Sequence, residues 1–321
     1  QQELMPFIQN KVIRDIHIQK GAIQCVCSRP EVLYRLKTAV AVYVCDNYTV
    51  PRPKALLGHE HFSRILRTIG FVRQNMDASC QTFYISAAGS DSSVMERIKL
   101  EIASETGLIE AEQGDILLRI RRSKQGWDVL TRLTNRPLAT RAWRVCNMEG
   151  ALNAPVAHAM IWLSRPKTDD RFLNIACGSG TLLIERCVYG ELQWIAGCDI
   201  NTDALNCASE NITQAGYNHQ VTVFQADSTH MPMPDNQVDV ICADLPFGQL
   251  VGSHTENVRS YPLIFAEIER LLAPSGRAII ITHELKLMQS LIAKTKLTLQ
   301  NQYQIVQRGL HPCIYVFKKG F

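Results

Sequence analysis

The sequence predicts an α/β protein whose second half forms a doubly wound, mostly parallel sheet and whose first half is a mixed α+β region. Between residues 171 and 282, short apolar runs alternate with segments of helical spacing, which is the pattern of βαβ units. The run at 238–243 is continuously apolar, as expected for a strand buried on both faces of a parallel sheet. The first half shows several strand patterns but only two helical ones, which favours a mixed arrangement there.

The predicted elements of the second half end in a hairpin. Strands are predicted over 171–176, 195–200, 221–225, 238–243, 277–282, 303–307 and 313–317, and helices over 154–164, 182–188, 203–214 and 262–272. Residues 308–312 are too few for a helical crossover, so the last two strands must pair antiparallel. A mostly parallel seven-stranded sheet that ends in such a hairpin is typical of Rossmann-type methyltransferases and departs from the dehydrogenase pattern.

The first half lacks this regular alternation. Strands are predicted over 23–27, 39–45, 82–87, 116–121 and 127–132, and helices over 62–69 and 92–106. Ser92 is a residue type that caps a helix N-terminus, which supports the start of the second helix. We place the boundary between the two halves near Asn147, so that the helix over 154–164 leads into the parallel sheet.

Length and composition indicate a globular protein of about two domains. The chain has 321 residues, of which 46% are hydrophobic and 20% are charged, as is common in globular proteins. Its apolar runs are far shorter than the roughly 20 residues of a membrane span, and no signal segment opens the chain, so we expect a cytoplasmic location.

The 11 cysteines are dispersed without a C-x-x-C pair, which favours buried free thiols. The Gly-His-Glu-His stretch at 58–61 has no second cluster to complete a metal site, so no metal is expected.

Positive charge is concentrated in the first half. Residues 1–150 carry 21 Lys and Arg against 15 Asp and Glu, whereas the remaining residues carry 13 against 15. Within 119–144 the acidic residue is Asp128, and the basic residues are Arg119, Arg121, Arg122, Lys124, Arg132, Arg136, Arg141 and Arg144. Such a segment suits a polyanionic partner such as RNA. A solvated, charged face of a strand explains it equally well.

A glycine-rich loop at 174–181 (Asn-Ile-Ala-Cys-Gly-Ser-Gly-Thr) lies between a predicted strand and a predicted helix. Gly178 and Gly180 would let the backbone approach a ligand closely, and no Lys follows the second Gly, which excludes a P-loop. Asp199 ends the next strand, where a carboxylate accepts from ribose hydroxyls, and Asp227 ends the third, where it can accept from an adenine amine. The glycine loop alone is as often a tight turn, and each acid alone is more often a helix cap or a solvated loop residue. Together, at successive strand ends, they favour a nucleoside site.

The motif Asp-Leu-Pro-Phe-Gly at 244–248 follows the buried fourth strand. Methyl transfer to an aromatic amine is difficult because the nitrogen lone pair is delocalised into the ring. A carboxylate and a backbone carbonyl that accept the two N–H bonds would orient the amine and offset its developing charge. Asp244 would supply the carboxylate, Leu245 the carbonyl, Pro246 a fixed turn and Phe247 a stacking face for the base. The structural alternative is a β-turn with a core Phe.

These motifs resemble those of the THUMP-domain RNA methyltransferases, especially the branch that forms N2-methylguanosine in tRNA. The pattern N-x-x-C-G-S-G-T-L-L-I-E at 174–185 together with the motif 244–248 carries the resemblance. The segments 137–144 and 151–155 are similar to the family's THUMP end and connecting helix. The resemblance covers about 80–320 well and the first 80 residues loosely.

The resemblance implies domains, a cofactor and a partner. It implies a partial ferredoxin-like region (1–75), a THUMP-like RNA-binding domain (76–147), a connecting helix (148–168) and a methyltransferase domain (169–321). The implied cofactor is S-adenosylmethionine and the implied partner is RNA, with tRNA as the expected class and no membrane or metal. Three site sets follow from it. The catalytic set is Asp244, Leu245, Pro246 and Phe247. The cofactor set is Asn174, Ala176, Cys177, Gly178, Ser179, Gly180, Thr181, Asp199, Ile200, Asp227, Ser228 and Asp244. The RNA-binding set is Arg121, Arg122, Lys124, Arg132, Arg136, Arg141 and Arg144.

The sequence departs from the family pattern at three places. Asn174 replaces the acid that is more common at the head of the glycine motif, which alters the expected contact with the methionine amine. Leu245 stands where the wider N-P-P-F class has its first Pro, as in the guanine-N2 branch, and so favours guanine over adenine. The N-terminal strand of the ferredoxin-like unit is not evident.

Alternative functions divide into those with the same chemistry and those without it. Guanine-N2 methylation of ribosomal RNA and adenine-N6 methylation of DNA share the amine motif, but the basic THUMP-like region favours RNA over DNA. A non-catalytic RNA-binding protein with a decayed methyltransferase fold is disfavoured by the intact Asp244, Gly178 and Gly180. An NAD-dependent oxidoreductase is disfavoured by the amine motif and the terminal hairpin.

Overall fold

The structure is a computed structural model that describes residues 2–19, 21–76, 80–248, 253–306 and 309–320. The chain divides into two units, residues 1–140 and residues 141–321. This division lies six residues before the predicted boundary at Asn147. The reason is that Arg141, Arg144 and Cys146 are bonded to side chains of the second unit.

The first unit combines short helices with two sheets. Its helices are α1 (Met5–Gln9), α2 (His59–Gln74) and α3 (Ser93–Thr106), and 3₁₀ turns lie at Gln2–Leu4, Pro30–Arg35 and Pro53–Leu57. Its strands are β1 (Ile13–Gln19), β2 (Ala22–Cys27), β3 (Tyr43–Tyr48), β4 (Thr82–Ala87), β5 (Ile109–Glu110), β6 (Ile116–Ser123) and β7 (Gly126–Arg132). Strand β1 pairs antiparallel with β2, so the N-terminal strand that the sequence did not reveal is present. The Ser92 hydroxyl accepts from the Met95 backbone N–H at the start of α3, as the capping pattern predicted.

The larger sheet of the first unit has the strand order β3-β7-β6-β4-β5. Apolar side chains of α2 and α3, including Ile65, Ile69 and Ile98, pack against one face of it. Strand β3 pairs with β7, which is distant in sequence. The predicted boundary at residue 75 would therefore cut through this sheet, because residues 43–74 belong to the same core as 82–132.

The second unit alternates strands and helices. Its helices are α4 (Ala154–Leu163), α5 (Thr181–Cys187), α6 (Thr202–Gln214), α7 (His254–Leu271) and α8 (Leu285–Ile292). Its strands are β8 (Arg171–Ile175), β9 (Trp194–Asp199), β10 (Val221–Gln225), β11 (Val238–Asp244), β12 (Leu272–Thr282), β13 (Thr298–Gln304) and β14 (Cys313–Lys318). Helix α7 begins eight residues before the predicted start at Pro262, and α8 was not predicted. Gln307 and Arg308 of the predicted hairpin lie outside the described residues.

A seven-stranded sheet in the order β10-β9-β8-β11-β12-β14-β13 forms the centre of the second unit. The first five strands of this order are parallel, whereas β14 pairs antiparallel with both β12 and β13. Apolar clusters cover both of its faces. The α/β fold class with an antiparallel C-terminal pair is therefore confirmed. In such sheets, ligands bind at the carboxyl ends of the parallel strands.

Three further observations concern membranes, metals and thiols. None of the helices within the described ranges combines the length and the apolar character needed to cross a bilayer. Across the same ranges, His, Cys, Asp and Glu side chains form no group of three or more that could hold a metal ion. Cys146 and Cys207 form a disulfide with a Cα–Cα distance of 5.4 Å. The prediction that all cysteines are free is therefore wrong for this pair. The two cysteines are 61 residues apart in sequence, so only the tertiary fold brings them together.

Candidate active site

Strand register brings the predicted site loops together at one edge of the parallel sheet. Ile175 of β8 pairs with Cys198 of β9 and with Ala243 of β11. The next residues along each strand begin the glycine-rich loop, the Asp199 loop and the motif 244–248. The alignment of these three strand ends is why segments far apart in sequence share one crevice.

The glycine-rich loop is shaped by backbone conformations that favour glycine. Gly178 and Gly180 have φ values of +51° and +77°, in the left-handed region that side chains with a Cβ rarely adopt. A Cβ on Gly180 would lie 3.2 Å from the Ala208 Cβ on α6, so this glycine also allows close helix packing. A Cβ on Gly178 would meet no atom within 4 Å, so open space for a ligand lies beside it. The Cys177 thiol is buried, and burial raises its pKa.

Asp199 is bonded to the glycine-rich loop. Its Oδ2 accepts from the Gly178 backbone N–H at 2.9 Å, and its Oδ1 accepts from the Asn201 backbone N–H at 3.0 Å. Each carboxylate oxygen keeps further acceptor capacity, which is what two ribose hydroxyls require. The neighbouring Ile200 side chain is 65% exposed, so it offers an apolar surface beside these acceptors.

Asp227 lies just beyond the end of β10 and is exposed. Its Oδ1 accepts from both the backbone N–H and the hydroxyl of Thr229, at 2.8 and 2.7 Å. These hydrogen bonds lower the pKa of Asp227, so the side chain is an ionised acceptor at neutral pH. Ser228 follows it and is half-buried.

Asn174 carries a buried acceptor without a partner. Its side chain is 1% exposed, and its Nδ2 donates to the backbone carbonyls of Ile175 and Cys242, both at 3.1 Å. These two bonds fix the orientation of the amide, because only the nitrogen can donate to a carbonyl. Among the described residues, the Oδ1 has no hydrogen-bond partner. An unpaired buried acceptor is costly, and a donor from a bound ligand would satisfy it.

Asp244 is the last residue of β11 and is only partly accessible. Burial raises the pKa of its carboxyl to about 7. A carboxylate with this pKa can both accept hydrogen bonds and take up a proton near neutral pH. Leu245, next in the chain, is buried, and its backbone N–H donates to the Ile281 carbonyl at 3.1 Å.

Pro246 and Phe247 complete the motif. The Pro246 carbonyl accepts from Asn257 Nδ2 at 2.9 Å and from Tyr261 Oη at 2.6 Å, both on α7. The Phe247 ring is half-buried, and its centroid lies 6.2 Å from that of His283. Sequence analysis missed Asn257, Tyr261 and His283. The pairing of a polar residue with an aromatic four positions later in a helix that follows the motif is a signal that could have revealed the first two.

Arg141 is part of a buried charge cluster and not of an RNA surface. Its Nε lies 2.8 Å from Glu185 Oε1, and His158 Nδ1 lies 2.8 Å from Glu185 Oε2. Arg141 is 8% exposed and Glu185 is 1% exposed. Burial alone would raise the pKa of Glu185, but the hydrogen bonds from His158 and Arg141 outweigh it and lower the pKa. The RNA-binding assignment of Arg141 is therefore corrected, because its guanidinium is committed to Glu185.

Arg144 and Asn211 tie the segment 143–146 to the glycine-rich loop. Arg144 Nη2 donates to the Thr181 hydroxyl at 2.9 Å and to the Leu152 carbonyl at 2.9 Å. The Asn211 Oδ1 accepts from the backbone N–H groups of Val145 and Cys146, and its Nδ2 donates to the carbonyls of Cys146 and Ser179. The RNA-binding assignment of Arg144 is thus also corrected, since its guanidinium is bonded to the end of the glycine-rich loop.

The remaining predicted RNA residues lie in the first unit. Arg132 is 3% exposed and donates to the backbone carbonyls of Thr134 and Asn135, so it too is removed from the RNA-binding set. Arg121, Arg122, Lys124 and Arg136 are exposed, although Arg121 lies 3.4 Å from Asp128. A cleft of about 390 Å³ is lined by Thr49, Val50, Pro51, Arg122, Ser123, Lys124, Gln125, Gly126 and Trp127. We call this surface the hairpin cleft, since it surrounds the β6–β7 turn.

Comparison with sequence families and curated proteins gives consistent matches. Residues 141–313 match the family described as UPF0020, an RMKL-like methyltransferase domain. The chain is 28% identical over 187 residues to the tRNA (guanine(6)-N(2))-methyltransferase THUMP3 of Mus musculus, covering 52% of this chain and 36% of that protein. It is 26% identical over 210 residues to the tRNA (guanine(6)-N2)-methyltransferase of Methanocaldococcus jannaschii, covering 54% and 55%. These matches thus span about half or less of the length of the curated relatives.

A solved structure with a similar fold is that of TrmN from Thermus thermophilus. It matches with a TM-score of 0.78 at 18% identity, covering 99% of this chain and 96% of that chain. At this level of identity the likeness concerns the fold, and it agrees with the sheet topology described above.

Proposed function

Because this chain belongs to the UPF0020 family of RMKL-like methyltransferase domains, we propose that it transfers a methyl group from S-adenosylmethionine to the exocyclic N2 amine of a guanine in tRNA. The observation that carries this proposal is the position of Asp244-Leu245-Pro246-Phe247. The motif lies at the carboxyl end of β11, directly beside the strand that leads into the glycine-rich loop. The curated relatives named for guanine-N2 methylation of tRNA support the choice of base and of RNA class.

The cofactor half of the proposal rests on how the residues of the crevice fit an adenosyl-methionine molecule. Asp199 would accept from the ribose hydroxyls, the exposed Ile200 would cover one face of the adenine, and Asp227 would accept from its amine. The unpaired Asn174 Oδ1 complements the methionine ammonium, which is a donor without acceptor capacity. When bound, the cofactor supplies an electrophilic methyl group.

The amine half rests on the motif 244–248. The Asp244 carboxylate and the Leu245 carbonyl accept the two N–H bonds of the guanine amine, which turns the nitrogen lone pair out of conjugation and toward the methyl donor. The Phe247 ring stacks on the base and holds it in the crevice. Asp244, with its raised pKa, takes the proton that the amine loses. Transfer is direct, so no side chain forms a covalent bond to the base.

A product analysis tests the reaction. The enzyme is incubated with isotope-labelled S-adenosylmethionine and, in parallel reactions, with tRNA, ribosomal RNA or DNA. Each nucleic acid is digested to nucleosides, and the labelled nucleoside is identified by mass spectrometry. Label in N2-methylguanosine is the expected result. Label in ribosomal RNA but not in tRNA, or in N6-methyladenine of DNA, would identify the competing substrate class and contradict the proposal.

For the RNA surface, the proposal names the hairpin cleft of the first unit. Arg122 and Lys124 present two exposed positive charges beside the partly buried Trp127, which lines the same cleft. Cationic side chains next to an aromatic ring suit a single-stranded nucleotide, with the phosphate on the cations and the base on the ring. Arg136 is exposed and adds positive charge to the same unit.

Charge reversal at the hairpin cleft should weaken tRNA binding. We expect the double variant Arg122→Glu with Lys124→Glu to bind tRNA about tenfold more weakly, with a salt-dependence slope smaller by roughly 2, because each cation that meets a phosphate contributes about one unit to this slope. Filter binding at several salt concentrations measures both quantities.

A control for that experiment is Arg97→Glu, an exposed charge reversal on α3 that removes an ion pair with Glu101. It should change tRNA affinity much less than the cleft variant does. The control changes the net charge by half as much as the double variant does. A loss of binding free energy at least half as large as that of the cleft variant would therefore mean that net charge, and not the hairpin cleft, determines RNA binding.

A further inference from the structure

Two donors on α7 hold one backbone atom of the motif 244–248. Asn257 Nδ2 and Tyr261 Oη lie 2.9 and 2.6 Å from the Pro246 carbonyl oxygen. The two residues are four positions apart, so they share one face of the helix. Asn257 is 1% exposed and Tyr261 is 0% exposed. Both donors are therefore shielded from water and directed at the same carbonyl.

Each donor is itself fixed by a second partner at the end of β12. Tyr261 Oη lies 2.7 Å from Thr282 Oγ1, and Asn257 Nδ2 lies 3.1 Å from Glu284 Oε1. Gly248 packs against the same group, since a Cβ there would lie 2.7 Å from Glu284 Oε1 and 3.1 Å from Asn257 Nδ2. The backbone from Pro246 to Gly248 is thus enclosed between α7 and the end of β12.

Occupation of the Pro246 carbonyl has a consequence for substrate binding. A carbonyl oxygen has two acceptor positions, and the two donors from α7 fill both. The Pro246 carbonyl is therefore unavailable to a substrate amine, which leaves the Leu245 carbonyl as the acceptor that the motif can offer beside Asp244. Because peptide bonds are planar and Pro restricts φ, holding the Pro246 carbonyl also limits where the Leu245 carbonyl and the Phe247 ring can point.

We infer that Asn257 and Tyr261 are positioning residues that set the direction of the Leu245 carbonyl and the Phe247 ring toward the substrate base. This role rests on the proposed function, since it concerns the same amine site. Neither residue contacts the reacting atoms. Their effect on the reaction passes through the backbone of the motif, so their loss should slow turnover without weakening cofactor binding.

The variant Tyr261→Phe tests this inference. It removes one of the two donors while keeping the ring in the core. We expect kcat to fall about tenfold, since small losses of alignment at a reacting centre are costly, with unchanged calorimetric affinity for S-adenosylhomocysteine. The double variant with Asn257→Ala frees the carbonyl completely and should lose about another tenfold in kcat. Hydrogen exchange of the 244–248 segment, followed by mass spectrometry, should become faster in both variants.

The control is Tyr315→Phe, which removes the hydroxyl of a buried tyrosine in the same hydrophobic cluster as Tyr261. Tyr315 lies on β14, which pairs with β12 and β13 and not with the strand that ends at Asp244. It should leave kcat and the hydrogen exchange of 244–248 unchanged, while its Tm should fall by about as much as the Tm of Tyr261→Phe does. Unchanged kcat and unchanged exchange in Tyr261→Phe would overturn the inference, as would equal effects in the control. If the wild-type protein binds S-adenosylhomocysteine but methylates no guanine, the proposed function fails, and the exchange measurement still decides whether α7 holds the motif.

Discussion

Replacing Asp244 with Ala should lower kcat by about a hundredfold to a thousandfold, the usual cost of removing one group that stabilises charge in a transition state. Affinity for tRNA should be retained, because the hairpin cleft lies in the other unit.

The Asp244→Ala protein should also be at least as stable as the wild type at pH 8. The folded state holds the Asp244 proton more tightly than the unfolded chain does, so this carboxyl makes stability fall as pH rises from its unfolded pKa toward about 7.

The pH profile separates a catalytic role of Asp244 from a structural one. In the proposed mechanism the ionised carboxylate is the active form, so kcat/KM of the wild type should rise with pH through about 7. Asp244→Asn keeps an acceptor oxygen but cannot titrate, so its lower rate should be flat over the same range. Full turnover in Asp244→Ala, or an unchanged profile in Asp244→Asn, would show that the amine site lies elsewhere.

Replacing Arg141 with Met should destabilise the second unit by about 3 kcal/mol, because it leaves a buried carboxylate with one partner fewer. The remaining partner of Glu185 is His158 at 2.8 Å. The stabilising effect of the cluster should be present at neutral pH and lost in acid, because the pKa of Glu185 is lowered in the folded state. Chemical denaturation at pH 7 measures the free energy of unfolding.

Adding Glu185→Gln to Arg141→Met removes the stranded charge and should restore part of the lost stability. The tRNA affinity of the folded Arg141→Met protein should match that of the wild type. Normal stability combined with weaker tRNA binding would contradict the buried assignment and return Arg141 to the RNA surface.

The sequence was sufficient to predict which segments converge at the strand ends of the candidate site. A glycine-rich loop and an acid after the next strand are signals carried by adjacent residues, and the sheet register then brings Gly178 and Asp199 into contact. The motif beginning at Asp244 was found in the same way. In an α/β sheet the ends of parallel strands meet at one edge, so local patterns are enough to predict which segments converge.

Features that depend on side-chain environment were not predictable in this way. Arg132, Arg141 and Arg144 lie within one basic run, yet each is bonded within the fold. A run of charged residues in the sequence does not indicate the direction of each side chain, so these bonds could not be predicted. Helix α7 was placed too late because Pro262 looks like a first-turn residue, whereas burial of Asn257 and Tyr261 stabilises the preceding turns. The pairing of β3 with β7 and the disulfide between Cys146 and Cys207 depend on contacts between distant residues.

Hydrogen bonds of the Asn211 side chain to Val145, Cys146 and Ser179 determine where a fragment of this protein can begin. An expression fragment that starts at residue 148 would begin after the predicted boundary, yet it would remove Val145 and Cys146, which this buried amide binds together with Ser179 of the glycine-rich loop. It would also remove Arg141, the ion-pair partner of Glu185. A fragment that starts before Arg141 keeps all of these groups, so residues 141–147 should be retained in any isolated fragment of the second unit.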